Sequence, residues 1–111
     1  MLWFGVRAIR HPSAEEIVLT QVLYALSDPV RLGVVRQLAC EGEATCSALD
    51  RGRPKSSMSH HFRVLREAGL VRTRTDGPAH VNELRREDIE DRFPGLLQAV
   101  LAAREEAGPA G

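Results

Sequence analysis

The chain has 111 residues, 43% of them hydrophobic and 27% charged, and its 15 Lys+Arg balance its 15 Asp+Glu. That composition suits one small globular domain and excludes disordered and fibrous chains. No apolar run reaches the ~18–20 residues that span a membrane, MLWFGV has no basic region of a signal peptide, and Cys40 and Cys46 are too few for a disulfide scaffold, so a soluble, cytoplasmic protein with no membrane partner is expected.

Ser13 and Glu16 have capping-box spacing, and Ile17, Val18, Val22, Leu23 and Leu26 follow at helical period, which predicts a first helix over 14–26. Asp28 as cap and Pro29 at the first helical position start a second helix. Its apolar face is Val30, Val34, Val35 and Leu38, and it ends near Gly42. A short third helix is expected over 45–50, anchored by Leu49. Arg51-Gly52-Arg53-Pro54 breaks the chain. From about Lys55 a fourth helix carries Met58, Phe62, Leu65 and Ala68 down one face until Gly69, a natural helix-ending residue. The period then changes to two: Val71–Thr75 and Ala79–Leu84 read as strands joined at Asp76-Gly77. A last helical stretch begins at Glu87, is interrupted at Pro94-Gly95, and resumes with Leu96, Leu97, Val100 and Leu101. The predicted order is α-α-α-α-β-β-α, a mainly α fold with a small β-hairpin (α+β). No linker or repeat divides it. Residues 1–111 are expected to form a single domain with an N-terminal arm over 1–13, a core over 14–104 and a flexible tail over 105–111.

A net charge of zero argues against a nucleic-acid partner only if the charge is evenly spread. It is not. Residues 1–50 carry −2, residues 51–76 carry +5 from seven basic and two acidic side chains, and residues 77–111 carry −3. A local field of this kind is what phosphates respond to. It covers two helices joined by a short break, followed by a hairpin, which is the arrangement of a winged helix-turn-helix. At about 100° per residue, Ser56, Ser59, His60 and Arg63 share the face opposite Met58, Phe62 and Leu65. Arg63 can fork onto guanine, the serines approach base edges closely, and His60 can donate to a base or a phosphate. Lys55 and Ser57, near the helix start, suit phosphate. Arg72, Arg74 and His80 would bring the hairpin to the DNA backbone or minor groove. His61 lies nearer the apolar stripe and reads as a packed, hydrogen-bonded histidine.

Ala25-Leu-Ser-Asp-Pro-Val-Arg-Leu32, Ser59-His-His-Phe-Arg-Val-Leu-Arg-Glu-Ala-Gly-Leu70 and the Asp76-Gly77 wing resemble the ArsR family of winged-helix transcriptional repressors, over residues 14–104. The resemblance implies a homodimer formed by the first and last helices, with two recognition helices in successive major grooves of a roughly palindromic operator on double-stranded DNA. The stripes of those helices, with Ile17 and Val18 in the first and Leu96, Leu97, Val100 and Leu101 in the last, exceed what one small core needs and are expected at the interface.

The chain departs from the family at three places. Cys46 stands alone on the third helix where metal and arsenical sensors carry Cys-x-Cys, and the last helix has Glu87, Asp88, Glu90 and Asp91 but no histidine. Neither suits a soft metal, so no metal site and no cofactor is expected. Cys46 reads as a small apolar residue before it reads as a redox sensor. Pro54 stands where relatives often carry a capping serine. The signal is not legible, and regulation by abundance alone or by an apolar small-molecule effector at the dimer interface both fit.

Two other readings compete. A winged-helix protein-interaction module would use the same fold without specific DNA binding. An enzyme has little support: adjacent His60 and His61 point about 100° apart, and no phosphate loop, Gly-x-Ser-x-Gly or His-Glu-x-x-His motif is present.

Overall fold

The computed structural model describes residues 9–103. The Met1–Val6 segment and the tail over 105–111 lie outside the described residues.

The capping box forms, but for one turn only. Glu16 accepts the Ser13 backbone N–H at 2.8 Å over a 3-10 turn, Ala14–Glu16. The chain is then extended at Ile17 and Val18, and helix α1 covers Leu19–Leu26. This corrects the single helix expected over 14–26. Asp28 caps α2 (Pro29–Glu41) as its position predicts, with its carboxylate accepting from Val30 N at 2.8 Å and Arg31 N at 3.0 Å. A two-residue strand β1, Ala44–Thr45, leads into α3 (Cys46–Asp50), where Thr45 Oγ1 caps the Ala48 N–H. Arg51 at φ 53° and Gly52 at φ 80° make the left-handed turn into α4 (Lys55–Ala68). The hairpin β2 (Val71–Asp76) and β3 (Ala79–Leu84) follows, then α5 (Arg86–Arg92) and α6 (Leu96–Ala102), separated at Pro94-Gly95. No helix among the described residues is long and apolar enough to cross a membrane.

The sheet is antiparallel in the order β1-β3-β2. Its third strand is the main addition to the sequence reading. β1 is held by Asn82, which is fully buried on β3. Its side chain accepts from Thr73 Oγ1 at 2.6 Å on one side and donates to the Ala44 carbonyl at 3.3 Å and Cys46 Sγ at 3.3 Å on the other. A buried amide is stabilising only when its donors and acceptors are matched. Here the matching joins all three strands.

The core lies between the helices and the inner face of the hairpin. Met58, Phe62, Leu65 and Ala68 of α4 pack with Val22 and Ala25 of α1 and Val34, Val35 and Leu38 of α2. Ile17 is 1% exposed and fills the space beside Gly69, the left-handed cap of α4 at φ 89°. A β-carbon on Gly69 would stand 2.5 Å from Ile17 Cγ1. Glycine is needed there for its conformation and for the close approach.

The N-terminal segment is bound to this frame. Thr73 N, on the outer edge of β2, donates to His11 Nε2 at 3.0 Å, and the buried Arg85 donates to the Pro12 carbonyl at 2.7 Å. Arg92 reaches the carbonyls of Glu15 and Ile17. His11 and Pro12, grouped with the arm by sequence, are thus integral to the wing side of the molecule. Burial, then the charges of Arg72, Arg85 and Arg66, hold His11 below its usual pKa and keep it the neutral acceptor this contact requires.

Candidate nucleic-acid interface

Helix α4 has two unlike faces. Met58, Phe62, Leu65 and Ala68 are buried, while Lys55, Ser56, Ser57, Ser59, His60 and Arg63 are exposed. Pro54 gives no side-chain cap, and Met58 N makes the first intrahelical bond to its carbonyl at 3.1 Å. The N–H groups of Lys55, Ser56 and Ser57 therefore point out of the helix end, where an anion is favoured. Ser57 Oγ donates to the Pro54 carbonyl at 3.0 Å, so its hydroxyl serves the helix start. The left-handed Arg51-Gly52 turn places α3 and α4 in sequence as a helix-turn-helix pair. A small cleft of about 150 Å³ between α3, α4 and β3 brings Lys55 and Ser59 together with His80 and Cys46. It joins the start of α4 to the returning strand β3.

The wing is electrostatically different. Arg74 makes a two-pronged pair with Glu43 at 2.8 and 3.0 Å. The pairing holds Glu43 below the ordinary carboxylate range and Arg74 above its own value. Arg72 lies 3.7 Å from Glu83 and 3.8 Å from Asp88. Two of the seven positive charges in the basic stretch are thus faced by carboxylates from outside it. His80 is exposed on β3.

His61 is largely shielded by its neighbours: its side chain is 16% exposed and its Nδ1 stands 3.2 Å from Arg31 Nη1. A guanidinium only donates, so this nitrogen accepts and His61 is neutral there. Burial lowers its pKa most, and Asp28, at 3.9 Å, works the other way.

The residues expected at a dimer interface separate. Ile17 (1% exposed) and Leu97 (2%) are buried within the protomer, contrary to the outward placement expected of them, and offer little surface to a second chain. The break at Ile17-Val18 explains the first: neighbours in an extended stretch face opposite ways. Val18 is exposed, and Leu96, Val100 and Leu101 are half-buried against the core. The sequence reading missed that α1 also exposes Leu19 at 41% and Tyr24 at 58%, alongside Leu23 at 45%. Leu19 and Leu23 are an i,i+4 pair in any helix that holds both, and that spacing is the signal that would have found this face. Among the described residues no group of three or more His, Cys, Asp or Glu side chains is placed to hold a metal ion.

The helix-turn-helix part matches a family of helix-turn-helix domains over residues 26–74. The chain is 33% identical over 90 residues to the uncharacterized HTH-type transcriptional regulator YceK of Bacillus subtilis, covering 78% of this chain and 90% of that one. It is 33% identical over 73 residues to the arsenical resistance operon repressor of Staphylococcus xylosus, covering 65% and 70% of the two chains. Among solved structures it resembles the homodimeric winged helix-turn-helix DNA-binding domain of a possible ArsR-family regulator from Mycobacterium bovis, with a TM-score of 0.61, 28% identity, and coverage of 74% and 76%.

Proposed function

The chain belongs to the ArsR family of winged helix-turn-helix transcriptional regulators, and we propose that it is a cytoplasmic repressor that binds a palindromic operator as a homodimer. The observation that carries this is the exposed face of α4. Among the described residues no hydrogen bond or ion pair engages the side chains of Ser56, Ser59, His60 or Arg63, on a helix whose opposite face is locked in the core. Arg63, Ser56 and Ser59 contact base edges, while Lys55 and the open amides of the first turn, that of Ser57 among them, hold phosphate. Arg72, Arg74 and His80 approach the backbone beside the wing, with Arg74 exchanging Glu43 for a phosphate.

The apolar face of α1, with Val18, Leu19, Leu23 and Tyr24 exposed, supports pairing of two protomers, together with Leu96, Val100 and Leu101 of α6. Two-fold symmetry then sets the half-sites about one helical turn, ~34 Å, apart. The chain acts as one domain over 1–111, with the segments beyond 14–104 as arm and tail. A small-molecule effector at the dimer interface is compatible with this reading, as is control by abundance alone.

Selection of bound sequences from random duplex DNA tests it. The expected result is a palindromic motif, with log affinity falling linearly with log salt. A chain with no sequence preference and no salt dependence is instead the protein-interaction module.

A further inference from the structure

Arg31 is 5% exposed and stands where three elements meet. Its Nε and Nη2 donate to the carbonyls of Ala25 at 2.8 Å and Tyr24 at 3.2 Å, at the end of α1. Its guanidinium carbon lies 5.0 Å from the centre of the Tyr24 ring. Its remaining arm, Nη1, donates to His61 Nδ1 at 3.2 Å on the recognition helix. The guanidinium is a rigid planar fork, so the two carbonyls that fix one side also fix where His61 must accept. Asp28, which caps α2 through the Val30 and Arg31 amides, sits 3.9 Å from the same histidine nitrogen. The exposed Tyr24 and the buried flank of α4 therefore share one immobilised cation.

We propose that Tyr24, Arg31 and His61 form a positioning relay that couples occupancy of the α1 face to the setting of the recognition helix, so that protomer pairing and operator affinity are thermodynamically linked. The inference rests on the dimeric, DNA-binding reading above. Tyr24 is 58% exposed in the single protomer. A second copy seated on this face removes water from Tyr24, whose ring lies against a cation that is already buried, and such contacts strengthen on desolvation. A tighter hold on Arg31 narrows the positions open to His61 and hence to α4. Linkage makes the effect reciprocal: operator DNA must tighten the dimer by the same factor.

The test compares the wild type with His61→Ala, His61→Asn, Tyr24→Leu and the double variant Tyr24→Leu/His61→Ala. Operator affinity is measured at chain concentrations that keep every variant dimeric, verified by sedimentation. His61→Ala is expected to weaken operator binding about tenfold, the order of one charge-assisted hydrogen bond. His61→Asn, which offers an oxygen near the position of Nδ1, restores most of the loss. Tyr24→Leu keeps apolar bulk at an exposed position, so it folds and pairs in the absence of DNA, yet binds operator a few-fold less well. The double variant is no weaker than His61→Ala alone, because both changes cut one relay. Additive losses, or full affinity in His61→Ala, overturn the relay while leaving operator binding intact. A wild type that binds no duplex overturns both readings.

Discussion

The recognition helix and the wing both look basic in sequence, but they offer charge to a partner in different ways. On α4, Lys55 and Arg63 are exposed and stand beside neutral serines and His60. On β2, Arg74 is clasped by Glu43, and Arg72 lies within 4 Å of Glu83 and Asp88. A phosphate that approaches α4 meets donors that are ready. One that approaches the wing must displace a carboxylate first. Surface ion pairs are individually weak, so the wing's charge is available at a discount and only once DNA is already near. The comparison teaches that seven positive charges in one stretch do not make seven contacts, and that base readout on α4 should dominate affinity.

The contrast can be broken most severely at its joint. Gly69 links α4 to β2 in a left-handed conformation with Ile17 against it. Gly69→Ala is expected to cost about 2–4 kcal/mol of stability through backbone strain and overpacking, read as a drop in the urea midpoint; an unchanged midpoint would mean that Ile17 moves freely. Next in size is the reading face itself. Arg63→Ala should lose about 1–3 kcal/mol of operator binding and relax preference at one base position, measured by titration against single-base operator variants. A uniform loss across all variants would reassign Arg63 to the backbone.

The wing predicts smaller effects of opposite sign. Glu43→Gln releases Arg74 and should steepen the slope of log affinity against log salt by up to about 0.9. Arg74→Ala in the otherwise native chain should change affinity less than about twofold, because the arginine is already engaged. If Arg74→Ala does the greater damage, the carboxylates are spectators and the wing is a primary contact. Smallest of all is the proton at His11. Its pKa is held below the usual 6.5, so the stability it lends by accepting the Thr73 N–H is present at pH 7 and lost as pH falls through the lowered value. The difference in Tm between wild type and His11→Ala should shrink from pH 7 to pH 5; a constant difference would show that the contact is indifferent to protonation.

Much of this organisation is legible in the sequence because it is periodic or capped. Asp28-Pro29, the Met58-Phe62-Leu65 stripe, Gly69 and the Asp76-Gly77 turn each impose a local conformation, and each appears where expected. What escapes is non-local. β1 has two residues and no period of its own, and it exists because Asn82, 38 positions after Ala44, reaches its carbonyl. Nothing in the spacing pairs Arg74 with Glu43 across 31 positions. Ile17 fails for a different reason. A helical period continues arithmetically through a stretch that is in fact extended, so the residue assigned outward turns inward.

That stretch also fixes a length. Ile17 is wedged beneath the end of the recognition helix, and Val18, the next residue, lies on the face proposed to meet the second protomer. One peptide bond separates the anchor of α4 from the proposed interface. In the proposed dimer the chain is therefore a stiff caliper, with little slack to absorb a change in operator spacing. Each base pair inserted between half-sites turns the second one by about 35°. The caliper should reject such sites even when both half-sites are perfect, so that spacing discriminates among operators alongside the bases themselves.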